Sequence, residues 1–500
     1  MASSGSSSYM IYHPENLNIF NMFSSTFALG GSLEGSGIVE SSPQETISLR
    51  RASLHGLITS FTLEGLITSF TEGLITRFTL ILQRIMIWLS GPAALFGLII
   101  EFTLNLFVLN GGIFGFPWSI ITESLKIPKP YSAGYLSMVA LMDERRSLAN
   151  SSYLSSPLLF KLPVHDRKFI YPLDLCVMAS KVAYENKKYI KHTVTTEWKM
   201  HFVKFYNCWN ECLKSKETQA FIFCDKREDA EVIVVAFRGT ELFNLRDWLT
   251  DIDLSWLKLG EMGKVHVGFM KALGIQDEKC ADKGWPKEYT GKKKLAYYTI
   301  RKKLRKLVKE NPNAKILVTG HSLGGALAVL FPAILVFHQD KSILDKLDGI
   351  FTFGQPRVGD TKFRDSMEKQ LNGNRKKYYR VVHRYDIVPR VPLHGYFIPF
   401  AHFGGCIYYK SWYKAQILPE EPNKNYFNPL HFPSKYINAW LDLFRGLIAG
   451  IRHGKDFKEN RISIGVRLFG LLIPGFASHS PRDYVNDARL GNLELMEDNI

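Results

Sequence analysis

Cysteine is scarce in this chain: six in 500 residues, at 176, 208, 212, 224, 280 and 406, too few and too scattered for a disulfide framework. Only Cys208 and Cys212 stand close together, and one such spacing with no second CxxC and no His pair makes no zinc site. Reduced, buried thiols in a cytosolic setting are the expectation, with no metal and no cofactor. The N-terminus lacks a basic segment followed by an apolar core, so no secretory leader is expected; its Ser-rich, acid-poor start resembles a transit peptide, but no arginine precedes Arg50. The last five residues, Met496 to Ile500, spell no retention signal. Acid is in deficit as well: 47 acidic residues face 63 basic ones, a net charge of +16. That surplus favours anionic partners, either nucleic acid or a phospholipid surface.

What is present is globular. The chain is 46% hydrophobic, 13% aromatic and 22% charged, which excludes disorder throughout and collagen-like repeats. A mean hydropathy of −0.07 excludes a polytopic membrane protein. Residues 1–50, rich in Ser and Gly, read as a disordered tail. A short repeat follows, GLITSFT at 56–62 and 65–71 and GLITRFT at 73–79, too short for a solenoid unit. From Ile85 to Ile121 the only charge is Glu101. The apolar opening of that segment makes a helix of about 24 Å, short of a bilayer. Pro92, Glu101, Asn105, Asn110-Gly111-Gly112 and Pro117 interrupt the rest. Residues 51–125 therefore read as an anchor of two half-helices inserted from one side, with a packed helical hairpin and a true span as rivals. Residues 126–165 read as a linker.

From 166 to 500 the pattern is that of one α/β domain. Strands are expected at 220–225, 231–239, 314–320, 348–354 and 378–384, alternating with helices at 174–186, 295–308 and 326–338. That alternation predicts a mostly parallel central sheet flanked by helices.

The chemistry-bearing element is Gly320-His321-Ser322-Leu323-Gly324, set directly between a strand and a helix. A serine there sits on a strained turn with its hydroxyl above the sheet edge, and its neighbours two positions away must lack bulk. Ser322 needs a base, and the base needs an orienting carboxylate, both expected downstream. Asp386 follows a strand end and precedes IVPRVP, while its rival Asp360 follows a loop. For the base the candidates are His394, His402, His431, His453 and His479, with His479 placed best, in the last loop of the domain. Oxyanion donors are expected at the N–H of Leu323 and at Thr240, which ends the strand 231–239. After Thr240, Leu245, Trp248, Leu249, Ile252 and Trp256 recur at helical spacing, which fits a lid as well as a core helix.

Taken together, VVAFRGTE (234–241), KVHVGF (264–269), VTGHSLGGALA (318–328), FGQPRVGD (353–360) and RYDIVPRVP (384–392) resemble the class 3, fungal-type triacylglycerol lipases. The resemblance covers about 200 to 490. It implies an α/β-hydrolase fold, Ser322 as nucleophile, Asp386 as acid, His479 as base, Thr240 and Leu323 as oxyanion donors, and a lid over 241–256. The apolar N-terminal region and a long C-terminal insert look closest to plant oil-body lipases, which implies an acylglycerol substrate at a lipid-droplet or membrane surface. The GLITSFT repeat is no part of that resemblance. Phospholipase or galactolipase activity, a non-catalytic signalling protein and a droplet-coat protein are the alternatives. In the insert, 439–451 and 463–476 are apolar enough to touch lipid or to add core over the sheet. The basic run Lys292–Lys309 either attracts anionic headgroups or is a solvated helix face; with no interleaved base-stacking aromatics beyond Tyr297 and Tyr298 and no nucleic-acid motif, nucleic acid is not expected.

Overall fold

The computed structural model describes residues 8–17, 37–42, 63–149, 164–275 and 285–491, apart from 212, 242–243, 246–247, 250–251, 372–377, 393–399, 411 and 424–431, and apart from the side chains of 63–75 and 164–171. Fourteen strands are described: β1 (Tyr9–Tyr12), β2 (Val39–Ser41), β3 (His201–Asn210), β4 (Ser215–Cys224), β5 (Val232–Phe237), β6 (Trp256–Lys258), β7 (Lys264–His266), β8 (Lys315–His321), β9 (Leu347–Phe353), β10 (Gly359–Asp360), β11 (Tyr378–His383), β12 (Phe400–Ala401), β13 (Cys406–Tyr409) and β14 (Ala415–Leu418).

Eight of them form the main sheet, in the order β14-β13-β11-β9-β8-β5-β4-β3. The five central strands run parallel, the order and direction of an α/β-hydrolase core. Both edges turn antiparallel, so the sheet is mixed rather than mostly parallel. Connection length is the reason. The few residues between β3 and β4, β4 and β5, and β13 and β14 allow a hairpin but not the crossover that a parallel neighbour needs.

The β5 run VIVVAF is apolar throughout because both its faces are covered. Ile233, Val235 and Phe237 face one core; Val234 and Ala236 face the other. Among the helices, α1 (Leu63–Leu109), α2 (Gly112–Ile121), α3 (Met138–Met142) and α4 (Val164–Val182) precede the sheet. Helices α5 (Val267–Leu273), α6 (Ala296–Glu310), α7 (Leu323–Phe337), α8 (Thr361–Leu371), α9 (Phe432–His453), α10 (Arg461–Phe469) and α11 (Pro481–Leu490) follow in order. Helix α7 lies in the first core, and α4 and α11 lie against the second.

Three features differ from the sequence reading. Residues of the Ser/Gly-rich tail build a second, antiparallel sheet, β12-β10-β7-β6-β1-β2, in which Met10 is buried with Trp256 and Phe400. The stretch read as a linker contributes α3, whose Leu141 packs with Leu136 and Tyr189. Helix α1 runs unbroken through Pro92 and Glu101, and the chain turns only at Asn110-Gly111, where Gly111 takes φ 82°. The first GLITSFT unit lies outside the described residues, and the other two fall within α1. In α6, Arg301 is buried against Glu288 at 2.7 Å and Arg305 pairs with Asp340 at 2.8 Å, leaving Lys302, Lys306 and Lys309 facing water.

Candidate active site

Strand β8 ends at His321 and α7 begins at Leu323, so Ser322 has to make the whole turn between them. It does so at φ 58°, ψ −133°, a strained conformation for a residue with a side chain, costing on the order of 1–3 kcal/mol. Its N–H donates to the carbonyl of Phe353 at 2.9 Å, which fixes the turn to the neighbouring strand. A Cβ on Gly320 would run into the backbone of Gly324, and one on Gly324 into that of Phe237. The two glycines are therefore the condition for the turn to close.

Three side chains meet here. His479 stands at the end of a short helical turn, Ala477–His479. Its Nε2 accepts from the hydroxyl of Ser322 at 2.8 Å, and its Nδ1–H donates to Asp386 Oδ2 at 2.8 Å. Ser322 and Asp386 are buried and His479 nearly so. Asp386, just past β11, also accepts from the N–H of Val388 at 2.9 Å through Oδ1, and from the hydroxyl of Tyr484. Burial and the neighbouring Asp386 charge hold the Tyr484 phenol far above its usual range, so it remains a donor. The carboxylate is fully engaged and points one lone pair at the imidazole.

His321 supports the same ring from behind. Its Nε2–H donates to the carbonyl of His479 at 2.9 Å, and its Nδ1 accepts from the Tyr184 hydroxyl at 2.7 Å. Burial, reinforced by the adjacent His479, keeps the pKa of His321 well below the usual histidine range. It is thus a neutral imidazole with one donor and one acceptor, as those two bonds require.

Leu323 is the first residue of α7, and its N–H has no partner inside the helix. Thr240 lies three residues beyond β5, whose Phe237 pairs with Gly320 of β8. That register sets the 238–240 loop beside the serine turn: a Cβ on Gly239 would collide with the carbonyl of His321. Thr240 is buried there. Trp248 lies beside the triad, its ring 6.1 Å from that of His479 and 6.1 Å from that of Phe476. Backbone bonds from Trp248 to Asn244 and from Ile252 to Trp248 show helical turns there. Of the expected lid, 241–256, residues 242, 243, 246, 247, 250 and 251 lie outside the described residues, and the helical spacing does not carry through to Trp256, which stands in strand β6.

The rival residues stand elsewhere. Asp360 accepts from the N–H of Phe363 at 2.8 Å, at the start of α8. His402 donates to the carbonyl of Pro389 at 2.7 Å, and burial together with Arg380 lowers its pKa well below the usual range. His453 packs its ring against Tyr413 and Phe457. His394 and His431 lie outside the described residues, as do Cys212 and Cys280. Cys176, Cys208, Cys224 and Cys406 are buried thiols. Among the described residues no group of three or more His, Cys, Asp or Glu is placed to hold a metal ion.

Sequence reasoning missed Tyr184, Tyr484 and Gly354. A Cβ on Gly354, which has φ +58°, would lie 2.8 Å from Asp386 Oδ2 and 2.9 Å from His479 Nδ1. The only local signal was its place at the end of β9, in FGQP. The assembled groups amount to a hydroxyl with a base in reach, a carboxylate behind the base, and backbone donors beside it, which suits attack on a carbonyl carbon.

Known proteins are similar to this chain. Residues 234–396 match the family described as lipase (class 3). Triacylglycerol lipase OBL1 of Nicotiana tabacum is 38% identical over 474 residues, 83% of this chain and 82% of that protein. Triacylglycerol lipase OBL1 of Arabidopsis thaliana is 39% identical over 437 residues, 83% of this chain and 84% of that protein. The solved Rhizomucor miehei triacylglyceride lipase superposes with a TM-score of 0.38 and 20% identity, over 52% of this chain and 88% of that one.

Proposed function

This chain belongs to the class 3 lipase family, and on that premise we propose that it is a serine-dependent triacylglycerol lipase working at a lipid-droplet or membrane surface. The observation that carries the reading is His479 bridging Ser322 and Asp386 through its two ring nitrogens, each at 2.8 Å. Ser322 Oγ attacks the acyl carbonyl while its proton passes to His479 Nε2. Asp386 fixes the tautomer and stabilises the imidazolium. The N–H groups of Leu323 and Thr240 receive the oxyanion. The ester C–O bond then breaks, His479 returns the proton to the departing glycerol oxygen, and the acyl group remains on Ser322. Water, deprotonated by the same imidazole, releases the fatty acid.

In this reading 166–500 is the catalytic domain and 51–125 the lipid anchor. Helix α1 is long and apolar enough over Thr76–Leu109 to cross a membrane, by length and composition. Its polar side chains nevertheless face the protein. Asn105 exchanges bonds with the backbone N–H and C=O of Leu136, at 2.9 and 2.8 Å. Asn110 does the same with Lys126 at 2.8 Å each, and Gln83 reaches the carbonyl of Ile252 at 3.4 Å. Outward stand Leu95, Phe96, Ile99 and Phe114. A helix held to the domain by its polar side supports a hairpin lying on lipid from one side, rather than a span.

The test is hydrolysis of emulsified triolein, phosphatidylcholine and galactolipid by the purified full chain beside Ser322→Ala. Triolein is expected to be the best substrate, and Ser322→Ala to lose about 10⁴-fold or more. Equal rates in the two proteins would refute the mechanism, and faster turnover of phosphatidylcholine would make this a phospholipase. For the anchor, Phe96→Glu with Ile99→Glu and Phe114→Glu is expected to reduce droplet association. Truncation is the poorer probe, because β1 and β2 belong to the second sheet.

A further inference from the structure

Helix α9, in the C-terminal insert, has its polarity reversed. In a water-facing helix the charged residues point outward and the apolar stripe packs on the protein. Here Tyr436, Trp440, Phe444, Leu447 and Ile451, at steps of four, four, three and four, all face out, with Trp440 60%, Phe444 56% and Ile451 88% exposed. Apart from Arg452 in the last turn, the charged residues point in. Asp442 is buried and binds Arg384, Arg445 at 3.0 Å and the hydroxyl of Ser478 at 3.1 Å. Lys435 is buried as well.

Helix α10 and the turn after it repeat the arrangement. Arg467 is buried, bonded to Glu459 at 2.6 Å and Asp483 at 2.6 Å, while Leu468, Phe469, Leu472 and Ile473 face out. The buried ion pairs hold both helices on the domain, so their apolar faces are fixed surfaces. An outward apolar face of this kind fits a non-aqueous phase.

Two further observations choose the occupant. The surface leads into the active site: Phe469 lies 6.0 Å from Phe476, Phe476 lies 6.1 Å from Trp248, and Trp248 lies 6.1 Å from His479, ring to ring. It is also rimmed by positive charge. At the corner between α9 and α10, Arg452, Lys455, Lys458 and Arg461 are exposed against Asp456 alone. That is the complement of an anionic phospholipid headgroup layer. The face is tied to the anchor too, since Ile462 of α10 and Ile100 and Leu104 of α1 pack on one small core with Leu136 and Leu141.

We propose that α9 and α10 form a second lipid-contacting platform, lying flat on an anionic phospholipid surface and setting the active-site mouth against it. The proposal deepens the lipase reading and rests on it for the consequence in turnover, but the contact itself is measured separately. In the full chain, Trp440→Glu with Phe444→Glu is compared with wild type on emulsified triolein and on a dissolved p-nitrophenyl butyrate. The ratio of emulsion to soluble rate is expected to fall at least tenfold, with the soluble rate within twofold of wild type and Trp440→Phe with Phe444→Leu restoring the ratio. An environment-sensitive NBD label on Trp440→Cys is expected to brighten and shift to the blue on vesicles of phosphatidylcholine and phosphatidylserine. A label indifferent to vesicles, or an unchanged ratio, overturns the proposal. So does a double variant that turns a dimeric wild type into a monomer at an unchanged ratio, which would assign the face to a second copy. If wild type leaves triolein untouched, the lipase reading fails, and the label still decides whether this face meets lipid.

Discussion

His321 donates its Nε2–H to the backbone carbonyl of His479 at 2.9 Å, so the residue just before the serine holds in place the histidine that bonds the serine hydroxyl. The serine turn and His479, 157 positions on from Ser322, are thereby tied together. In His321→Ala the carbonyl of His479 and the hydroxyl of Tyr184 lose their buried partner, at a cost of about 1–3 kcal/mol. Steady-state kinetics on a soluble ester should show kcat reduced about 10- to 100-fold with KM little changed. An unaltered kcat would show that the imidazole of His479 needs no such support.

Gly354 sits so close to the reacting groups that a single methyl tests the geometry. The added Cβ of Gly354→Ala would lie 2.8 Å from Asp386 Oδ2 and 2.9 Å from His479 Nδ1, on a backbone with φ +58°. Something must shift, and the Asp386–His479 bond is what lies in the way. The variant should fold with a near-native circular dichroism spectrum and lose about 100-fold or more in kcat, the scale expected for a displacement of about 1 Å.

Tyr484→Phe removes one donor from Asp386 while Val388 N–H and His479 remain. The carboxylate is fully buried, so the missing bond is replaced poorly. Urea unfolding should show a loss of about 1–3 kcal/mol, and kcat should fall roughly tenfold. A variant as stable and as active as wild type would mean that the phenol contributes nothing.

The parts legible in the sequence were those with local patterns. The strand–turn–helix context of Ser322 and the apolar runs of β5, β8 and β9 are written in consecutive residues. Asp386 was expected from its place past a strand end, and His479 from its place in the last loop together with the family resemblance. The second sheet was not legible because β1 pairs with β6, Tyr9 opposite Leu257, a contact between short strands with no periodicity of their own. The continuity of α1 was missed because proline reads as a break. Next to Pro92, Ser90 Oγ–H bonds the Ile87 carbonyl at 2.8 Å, and the helix passes through. Tyr484 could not be singled out, since nothing local distinguishes a tyrosine whose partner lies 98 positions away. The inverted polarity of α9 was hidden for the opposite reason. Its periodicity is plain, but periodicity alone does not say which face meets the protein.

Glu185 and Glu101 both bond at the start of α3, and their titration gives the last prediction. Glu185 accepts from the N–H of Ser137 at 3.0 Å and from its hydroxyl, and Glu101 accepts from the N–H of Met138 at 3.2 Å. Burial raises the carboxyl of Glu185 to about 7, against the pull of Ser137, Lys181 and Arg146. Burial, aided by the charges of Glu241 and Glu185, raises Glu101 to about 7 as well. A carboxyl whose folded pKa exceeds its unfolded value keeps its proton longer in the native state. Stability is therefore full below the unfolded value of 4.5, falls as pH climbs to about 7, and stays reduced above it. For Glu185 the loss is on the order of 3 kcal/mol. Because Glu101 belongs to α1, ionisation of both also strains the seat of that helix on the domain. Thermal unfolding from pH 5 to 8 should show Tm declining in wild type. In Glu185→Gln the curve should be markedly flatter, because one titration is gone and the repulsion on Glu101 is relieved. A parallel decline in the two proteins would mean that Glu185 is already ionised at pH 5, with its charge neutralised by Lys181 and Arg146.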